Sequence, residues 1–419
     1  MLALAIAVGS GAAALARRHV VLGLVVLTGL LPVLINLVLL PRYRPEIAPV
    51  FALGIAALIF GGILASVRTS RYEVPAVPAD VPWGGFATTL ALFVVAGTFV
   101  HFAVGGIPLL SSNVEVARFN VTASGFLGIP GRIYLFGVPL ALAACLRAER
   151  VSDKDAFSSW QSRLVLITFV MSRMLSGFKG GLVEVVLSSL IAYFASGHSM
   201  KRKYIPRLLA ALVLALAFGV AVGVTYTTYQ GRGVVAALID RIGFQTSDPA
   251  AVVLTHADSH DLGGNSIATD AAYFTSKYFH FDGSPSFSFS EIVSARVTGT
   301  PLSPGGYFVP VTTTAIAEQI YDFGVPLACL TLALTGYVMQ SAEHRARRTL
   351  TPYKFLATLT IVLGGFEYVS KGGLIYAVYN WSAVFLLLIA IAAVVRILLR
   401  ARPRHRRSEN RRLDSGDAI

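Results

Sequence analysis

Two short segments of the sequence place a lysine among small residues at the boundary between two apolar runs. They are Ser176-Gly177-Phe178-Lys179-Gly180-Gly181 and Val369-Ser370-Lys371-Gly372-Gly373. A cation at the edge of a bilayer is costly, so it usually has a charged partner or a function. We therefore predict that Lys179 and Lys371 face the outer side of a membrane and bind an anionic ligand.

Other cations adjoin apolar runs in the same way. Arg173 and Lys179 bracket one turn between two apolar runs, and Arg232 follows another run between two glycines. Arginine binds phosphate oxygens through a bidentate fork, lysine acts as a point charge, and neighbouring glycines let the backbone approach a ligand. The pattern is typical of a phosphate site. The alternative is that these side chains extend to lipid headgroups or form internal salt bridges, such as one between Glu367 and Lys371.

An acidic face follows further along the chain. Glu318, Tyr321 and Asp322 have the i, i+3, i+4 spacing that places three side chains on one face of a helix. Two carboxylates and a phenol are costly inside an apolar segment, so they usually have a function or a polar partner. Glu318 is therefore a candidate general base for a hydroxyl group, or a residue that orients an arginine. The alternative is an acid in the first helical turn, where it interacts favourably with the helix dipole.

Metal, nucleotide and disulfide chemistry receive little support. The stretch His256-Ala257-Asp258-Ser259-His260-Asp261 contains metal-ligand residue types, but its spacing matches no metal motif and favours a solvated capping loop. The sequence contains no P-loop, no dinucleotide-binding fingerprint and no nucleophile elbow. Cys145 and Cys329 each lie inside an apolar run, which argues against a disulfide framework. We predict no metal site and no cofactor.

The elements that must position these residues are membrane-spanning helices. Hydrophobic residues make up 55% of the 419 residues and charged residues only 14%, and the mean hydropathy is +0.68. Lipid offers the backbone no hydrogen-bond partner, so each long apolar run must be helical. The predicted fold class is an all-α polytopic membrane protein. The apolar runs near the length that crosses a bilayer number about eleven: 1–16, 20–40, 46–67, 86–105, 124–146, 161–177, 181–197, 206–229, 312–340, 353–370 and 373–399.

Lysine and arginine predict the orientation of these helices. Basic residues cluster at every second connection and in the tail 400–419. The positive-inside rule places those connections and the tail in the cytoplasm and, with about eleven spans, the N-terminus outside. The net charge of +13 is thus mainly a signal of topology, and we predict no nucleic-acid partner. The first apolar run lacks the basic segment of a cleaved signal peptide and is predicted to be retained.

One long polar connection, 230–311, interrupts the short connections of a single membrane domain, 1–419. It is rich in aromatic residues and is predicted to form short helices over 232–243 and 267–279 that cap the outer side. Aromatic rings beside polar groups suit the CH faces and hydroxyls of sugars. The alternative is that the rings pack the connection's own small core or lie at the lipid interface.

With these features the chain resembles the bacterial O-antigen polymerase (Wzy-type) family and, more distantly, the O-antigen ligases. The stretch Ser176-Gly177-Phe178-Lys179-Gly180 resembles the family's small-x-Arg-Gly turn, with lysine in place of the usual arginine. The stretch Ala317-Glu318-Gln319-Ile320-Tyr321-Asp322-Phe323-Gly324 resembles the segment after the family's large loop, and the loop itself carries Arg232 and Arg296. The histidine that ligases place near the end of the loop is not evident at 305–314, which favours a polymerase.

The resemblance implies an inverting glycosyltransferase of the bacterial inner membrane that polymerises undecaprenyl-diphosphate-linked oligosaccharides at the periplasmic face. It implies that Glu318 takes the acceptor proton and that Arg232 stabilises the departing diphosphate. It also implies a periplasmic loop at 230–311, no metal, and a chain-length regulator protein as a partner beside the lipid bilayer. The substrate-binding residues that it implies are Arg173, Lys179, Arg296, Tyr321 and Lys371.

Two other functions stay open. A ligase would transfer a finished glycan to another acceptor, giving a single product rather than a ladder of repeats. A transporter or flippase of lipid-linked sugars would carry charged residues in both halves of the membrane and an internal duplication. The intramembrane charges gather at the predicted outer side, which favours the enzyme.

Overall fold

Every element in the described part of the chain is helical. The computed structural model describes residues 20–39, 46–69, 82–114, 117, 129–178, 180–199, 205–224, 247–279, 287–302 and 311–401. The helices are α1 (Val20–Leu24, a π-helical turn Val25–Leu30, and Leu31–Leu39), α2 (Ile47–Thr69), α3 (Trp83–Gly105), α4 (Ile129–Arg132, π-helical Ile133–Gly137, and Val138–Val151), α5 (Trp160–Leu175), α6 (Gly181–Ala195), α7 (Ile205–Val224), α8 (Asp248–Thr255), α9 (Ser266–Phe279), α10 (Phe289–Thr298), α11 (Ala315–Arg348), α12 (Pro352–Lys371) and α13 (Leu374–Ala401), with a short 3-10 helix at Pro108–Leu110.

Several of the described helices are long and apolar enough to cross a membrane. These five segments are Val21–Leu39, Ile47–Arg68, Trp83–Leu110, Ala315–Arg348 and Leu374–Ile397, while Gly181–Ala195 and Leu208–Val222 are apolar but shorter. The all-helical class is confirmed, whereas the count of about eleven spans stays a prediction. The first predicted span, 1–16, and residues 402–419 of the basic tail lie outside the described residues.

Glycines allow α2 and α11 to pack at very short range. A Cβ added to Gly61 would collide with the Ala333 carbonyl, and one added to Gly336 would collide with the Leu58 carbonyl. Small residues at such contacts let helix backbones approach, which is a common way for membrane helices to associate. This contact fixes α11, the helix that carries the acidic face, against the first half of the chain.

Helix α11 is broken near its start. Gly324 has φ 69° and ψ 167°, outside helical geometry, and Pro326 follows two residues later. Glycine adopts a positive φ at no steric cost, and proline lacks the N–H that would bond to the carbonyl four residues earlier. The predicted span over 312–340 is therefore helical but kinked, with a short helix, 315–323, before the long segment 325–348.

Successive long helices run between two ends of the bundle. At one end, called the Arg147 end, the Arg147 guanidinium donates to the Thr349 carbonyl at 3.0 Å, joining α4 to the residue after α11. At the other, called the Glu318 end, the Thr313 N–H donates to the Lys371 carbonyl at 3.0 Å, joining the start of α11 to the end of α12. The second lysine-containing segment therefore lies at the Glu318 end.

Three short helices occupy the described part of 230–311. Helices α8 and α9 pack against α11, and α10 packs against both of them. Val253, Phe289 and Val293 from these helices are buried in the same apolar core as the long helices. The predicted helix over 267–279 is confirmed as α9, which begins one residue earlier, and the predicted helix over 232–243 lies outside the described residues.

Candidate functional site

A carboxylate of α6 joins the ends of α5 and α12. Glu184 Oε1 lies 3.3 Å from Arg173 Nη2 and 3.7 Å from Lys371 Nζ. Arg173 lies three residues before the first lysine-containing segment, and Lys371 belongs to the second. The two segments that the sequence singled out are therefore neighbours in space, because the Glu184 carboxylate forms ion pairs with both Arg173 and Lys371.

Lys371 is the accessible cation of this group. Its Nζ also lies 3.3 Å from Glu367 Oε1, one helical turn earlier, and its side chain is 43% exposed. Glu367 Oε2 accepts a 2.6 Å hydrogen bond from Trp381 Nε1 of α13, which orients this carboxylate. The Glu367–Lys371 salt bridge considered from the sequence is confirmed as a contact, and Lys371 still has an open side.

Arg173 is enclosed rather than accessible. Its side chain is 3% exposed, and its Nη2 also donates to the Leu135 carbonyl at 3.1 Å. Its guanidinium lies 5.5 Å from the ring centre of Tyr134 and 5.6 Å from that of Phe169. Carboxylate, carbonyl and aromatic partners together stabilise a buried cation. Arg173, predicted to bind substrate, thus has the contacts of a residue that positions Glu184.

Glu318 is buried beside the second lysine-containing segment. The residue is 4% exposed, and its carboxylate accepts the Gly373 N–H, at 2.9 Å to Oε1 and 2.8 Å to Oε2, together with the Thr313 hydroxyl. Gly372 has φ 80°, a conformation that favours glycine, and a Cβ added there would also displace the carboxylate. Because α13 begins one residue after Gly373, the carboxylate satisfies a backbone donor at a helix N-terminus. Glu318 therefore fixes the turn that carries Lys371.

Tyr321 and Asp322 hold the short helices of 247–302. The Tyr321 hydroxyl accepts the Leu262 N–H at 3.1 Å. The Asp322 carboxylate accepts the Ser266 N–H at 2.6 Å and the Ser266 hydroxyl at 2.7 Å, at the N-terminus of α9, where a negative charge is favourable. The three residues of the acidic face thus have separate structural partners, and Tyr321, predicted to bind substrate, is fully buried.

Of the remaining predicted site residues, only Arg296 lies in the described part of the chain. Arg296 is exposed in the last turn of α10 and forms no hydrogen bond or ion pair with the other described residues. Lys179 and Arg232 lie outside the described residues. The described site therefore centres on one accessible cation and its carboxylates.

An aromatic surface lies beside the second lysine-containing segment. The rings of Tyr376 and Tyr379 lie 6.0 Å and 5.7 Å from the ring of Phe274 in α9. The Arg132 guanidinium lies 5.0 Å from the Tyr379 ring centre, and its Nε donates to Asn380 Oδ1 at 2.9 Å. Sequence reasoning did not single out this surface, although the i, i+3, i+4 spacing of Tyr376, Tyr379 and Asn380 marks one face of a helix.

Asp270 links α9 to the start of α10. Its Oδ1 accepts the Phe289 N–H at 2.8 Å, and the residue is 6% exposed. Burial raises the pKa of the Asp270 carboxyl to about 6, although the hydrogen bond from Phe289 opposes that shift. The contact between the two short helices therefore includes a carboxylate whose charged form is unfavourable.

The stretch of His and Asp residues at 256–261 forms a local contact. His256 Nδ1 lies 2.7 Å from Asp261 Oδ1, and the Ser259 hydroxyl donates to the same oxygen at 3.0 Å. Within the described ranges, no three His, Cys, Asp or Glu side chains are placed to hold a metal ion. These contacts are those of a capping turn between α8 and α9.

The fold and the site define an all-helical membrane protein with an accessible cation, paired carboxylates and aromatic rings at one end of the bundle. Comparison of the chain with protein-family models, with curated proteins and with solved structures finds no match. The resemblance to the O-antigen polymerases therefore stays a prediction carried by short motifs of the sequence.

Proposed function

We propose that the chain is a glycosyltransferase that polymerises oligosaccharide units linked to a lipid diphosphate. The reaction would take place at the Glu318 end of the bundle, on the outer side of a bacterial cytoplasmic membrane. The observation that carries the proposal is Lys371, a cation that is 43% exposed beside an aromatic surface. Such a surface combines a partner for phosphate oxygens with ring faces for sugars.

The charges around Lys371 favour an anionic ligand. The ammonium of Lys371 is 43% exposed, whereas Arg173 is 3% exposed and bonded to Glu184, so Lys371 is the cation of this pair that a ligand can reach. An exposed ammonium group attracts anions and repels cations. The carboxylates hold the ammonium group in one place, so that a diphosphate would meet a preorganised charge.

Each side chain has a distinct part in the proposed reaction. The bond between the anomeric carbon and the diphosphate oxygen breaks, the diphosphate leaves with the electron pair, and an acceptor hydroxyl oxygen bonds to the anomeric carbon. Lys371 stabilises the charge that develops on the diphosphate. Glu184, 35% exposed next to Lys371, orients the hydroxyl and accepts its proton, which becomes strongly acidic as the new bond forms. Glu318 positions Lys371.

The test is the product made by the purified chain from a lipid-linked repeat unit. Lys371→Gln should lower long-chain product by about 100-fold or more, because a preorganised charge is lost. The matched control is Lys154→Gln, which removes an exposed lysine near the Arg147 end. A wild-type distribution of chain lengths from Lys371→Gln would refute the assignment of this site.

The break at Gly324 favours transport of a lipid-linked glycan as a second candidate. Discontinuous helices are typical of transporters, where helix ends and unwound backbone bind the substrate. Detergent solution separates the two functions, because it has no compartments between which a substrate can move. Glycan ladders formed in detergent would support a polymerase, a single transfer would support a ligase, and turnover seen only as movement across vesicles would support a transporter.

A further inference from the structure

A basic cavity lies near the Arg147 end, at the turn between α11 and α12. It is a shallow, largely open cavity with a volume of about 400 Å³. We infer that it binds the headgroup of an anionic phospholipid, whose acyl chains lie along α11 and α12. The polar side chains that line it are His344, Arg345, Arg348, Thr349, Lys354 and Thr358.

Charge complementarity points to a phosphate group. Arg345, Arg348 and Lys354 contribute three positive charges to the cavity, and none of its lining residues is acidic. Arg345 and Lys354 are exposed, so both reach the open side. Arginine supplies a planar pair of donors and lysine a compact charge, which is a combination suited to phosphate oxygens.

Arg345 and Lys354 are not required as donors to the carbonyls at the end of α11. The Thr349 hydroxyl donates to the Arg345 carbonyl at 2.6 Å, and Arg147 donates to the Thr349 carbonyl at 3.0 Å. Trp83 Nε1 donates to the next carbonyl, that of Leu350, at 3.0 Å. These carbonyls at and just after the helix C-terminus already have donors, and the side chains of Arg345 and Lys354 form no hydrogen bond or ion pair with another described residue. The charged groups of Arg345 and Lys354 are therefore available to a ligand.

The nearest carboxylate on α11 does not neutralise the cavity either. Glu343 is 1% exposed and forms an ion pair with Arg347. Its charge therefore acts inside the bundle, on the opposite side of the helix from the open cavity.

Apolar surface adjoins the cavity, which favours a lipid over a soluble anion. On α11, the exposed residues Leu334 and Val338 lie on the turns that lead to Arg345. On α12, Ile361 is 46% exposed and lies two turns beyond Lys354 on the same face. An apolar stripe that ends in cations matches a phospholipid, with its phosphate at the membrane boundary and its chains in the hydrocarbon region.

The experiment measures which lipids stay bound to the full-length chain. The protein is reconstituted into vesicles of phosphatidylcholine alone, or of equal parts phosphatidylcholine and phosphatidylglycerol, then extracted and examined by native mass spectrometry. We expect preferential retention of phosphatidylglycerol that weakens as salt is raised. The double variant Arg345→Gln/Lys354→Gln should bind it roughly 30-fold more weakly. The control Lys154→Gln/Arg396→Gln, which removes two exposed cations outside the cavity, should bind it as the wild type does.

Several outcomes would overturn the inference. Equal retention of both lipids would mean that the protein binds lipid through apolar contacts alone, without recognising the headgroup. Unchanged retention of phosphatidylglycerol by the Arg345→Gln/Lys354→Gln variant would mean that this lipid binds outside the cavity. Displacement of phosphatidylglycerol by inorganic phosphate at a similar concentration would assign the cavity to a soluble anion. If that double variant does not fold, the salt dependence of the wild type still tests the inference. Retention of phosphatidylglycerol that does not weaken as salt is raised would contradict a site that binds the headgroup by charge.

Discussion

Replacing Glu318 separates a structural role for this carboxylate from a catalytic one. Glu318→Ala removes the acceptor of the buried Thr313 hydroxyl and of the half-buried Gly373 N–H. A buried donor left without a partner costs about 1–3 kcal/mol and a half-buried one costs less, so the free energy of unfolding should fall by about 1–4 kcal/mol. Glu318→Gln keeps one acceptor oxygen, which can still accept both donors, and exchanges the other oxygen for an amide NH2 group, so the loss should be about 1 kcal/mol.

The assay is titration of the purified variants with a denaturing detergent in mixed micelles, with glycan formation measured on the same preparations. If Glu318 positions Lys371, the Gln variant should retain most of its activity, and the Ala variant should lose stability and activity together. Glu46, an exposed carboxylate before α2, provides the control, and its Gln and Ala variants should both unfold as the wild type does.

Two results would refute this reasoning about Glu318. An Ala variant that unfolds like the wild type would mean that the hydrogen bonds to the turn contribute nothing to stability. A Gln variant that is fully stable but has lost activity by orders of magnitude would identify Glu318 as the proton acceptor, as the sequence suggested, rather than as a positioning residue.

Two further predictions concern helix packing and pH. Gly336→Ala should lower the free energy of unfolding by about 1–3 kcal/mol because its Cβ would overlap a carbonyl of α2. The control is Gly84→Ala, which has open space at its Cβ and should not lower the free energy of unfolding. Equal effects of the two substitutions in the same detergent titration would contradict the close packing of α2 and α11. The Asp270 carboxyl has a pKa of about 6 in the folded chain against an ordinary 3.8, so the folded chain binds this proton more tightly than the unfolded chain does. The contact between α9 and α10 should therefore weaken by about 3 kcal/mol as the pH rises from about 4 to about 6. Hydrogen exchange at the Phe289 amide, corrected for intrinsic rates, measures this change; Asp270→Asn should abolish the pH dependence, and a wild type without it would disprove the assignment.

The positions of the charged residues were predictable because a charge next to an apolar run is conspicuous in any sequence. Arg173 and Lys371 lie at the ends of their helices and both contact Glu184, whereas Lys179 of the first segment lies outside the described residues. The partners were not predictable to the same degree. The contact of Glu184 with Lys371 joins α6 to α12, and only the packing of these helices determines which faces meet.

Two features escaped prediction for physical reasons. The break at Gly324 depends on a positive φ, which hydropathy does not encode, so the apolar run was read as one helix. The surface formed by Tyr376 and Tyr379 depends on its contact with Phe274, a residue about a hundred positions away in the chain. Periodicity within one helix identifies a face, but it does not identify what that face contacts.

The short helix before Gly324 is attached to two separate parts of the molecule. Through Asp322 it holds the start of α9, and through Glu318 it holds the turn that carries Lys371. A single non-helical residue separates it from the rest of α11. A displacement of α9 would thus be transmitted through these two contacts to the turn that carries Lys371. For the proposed ligands, occupancy at the α9 surface and anion affinity at Lys371 would then be thermodynamically linked, each changing the other by the same free energy.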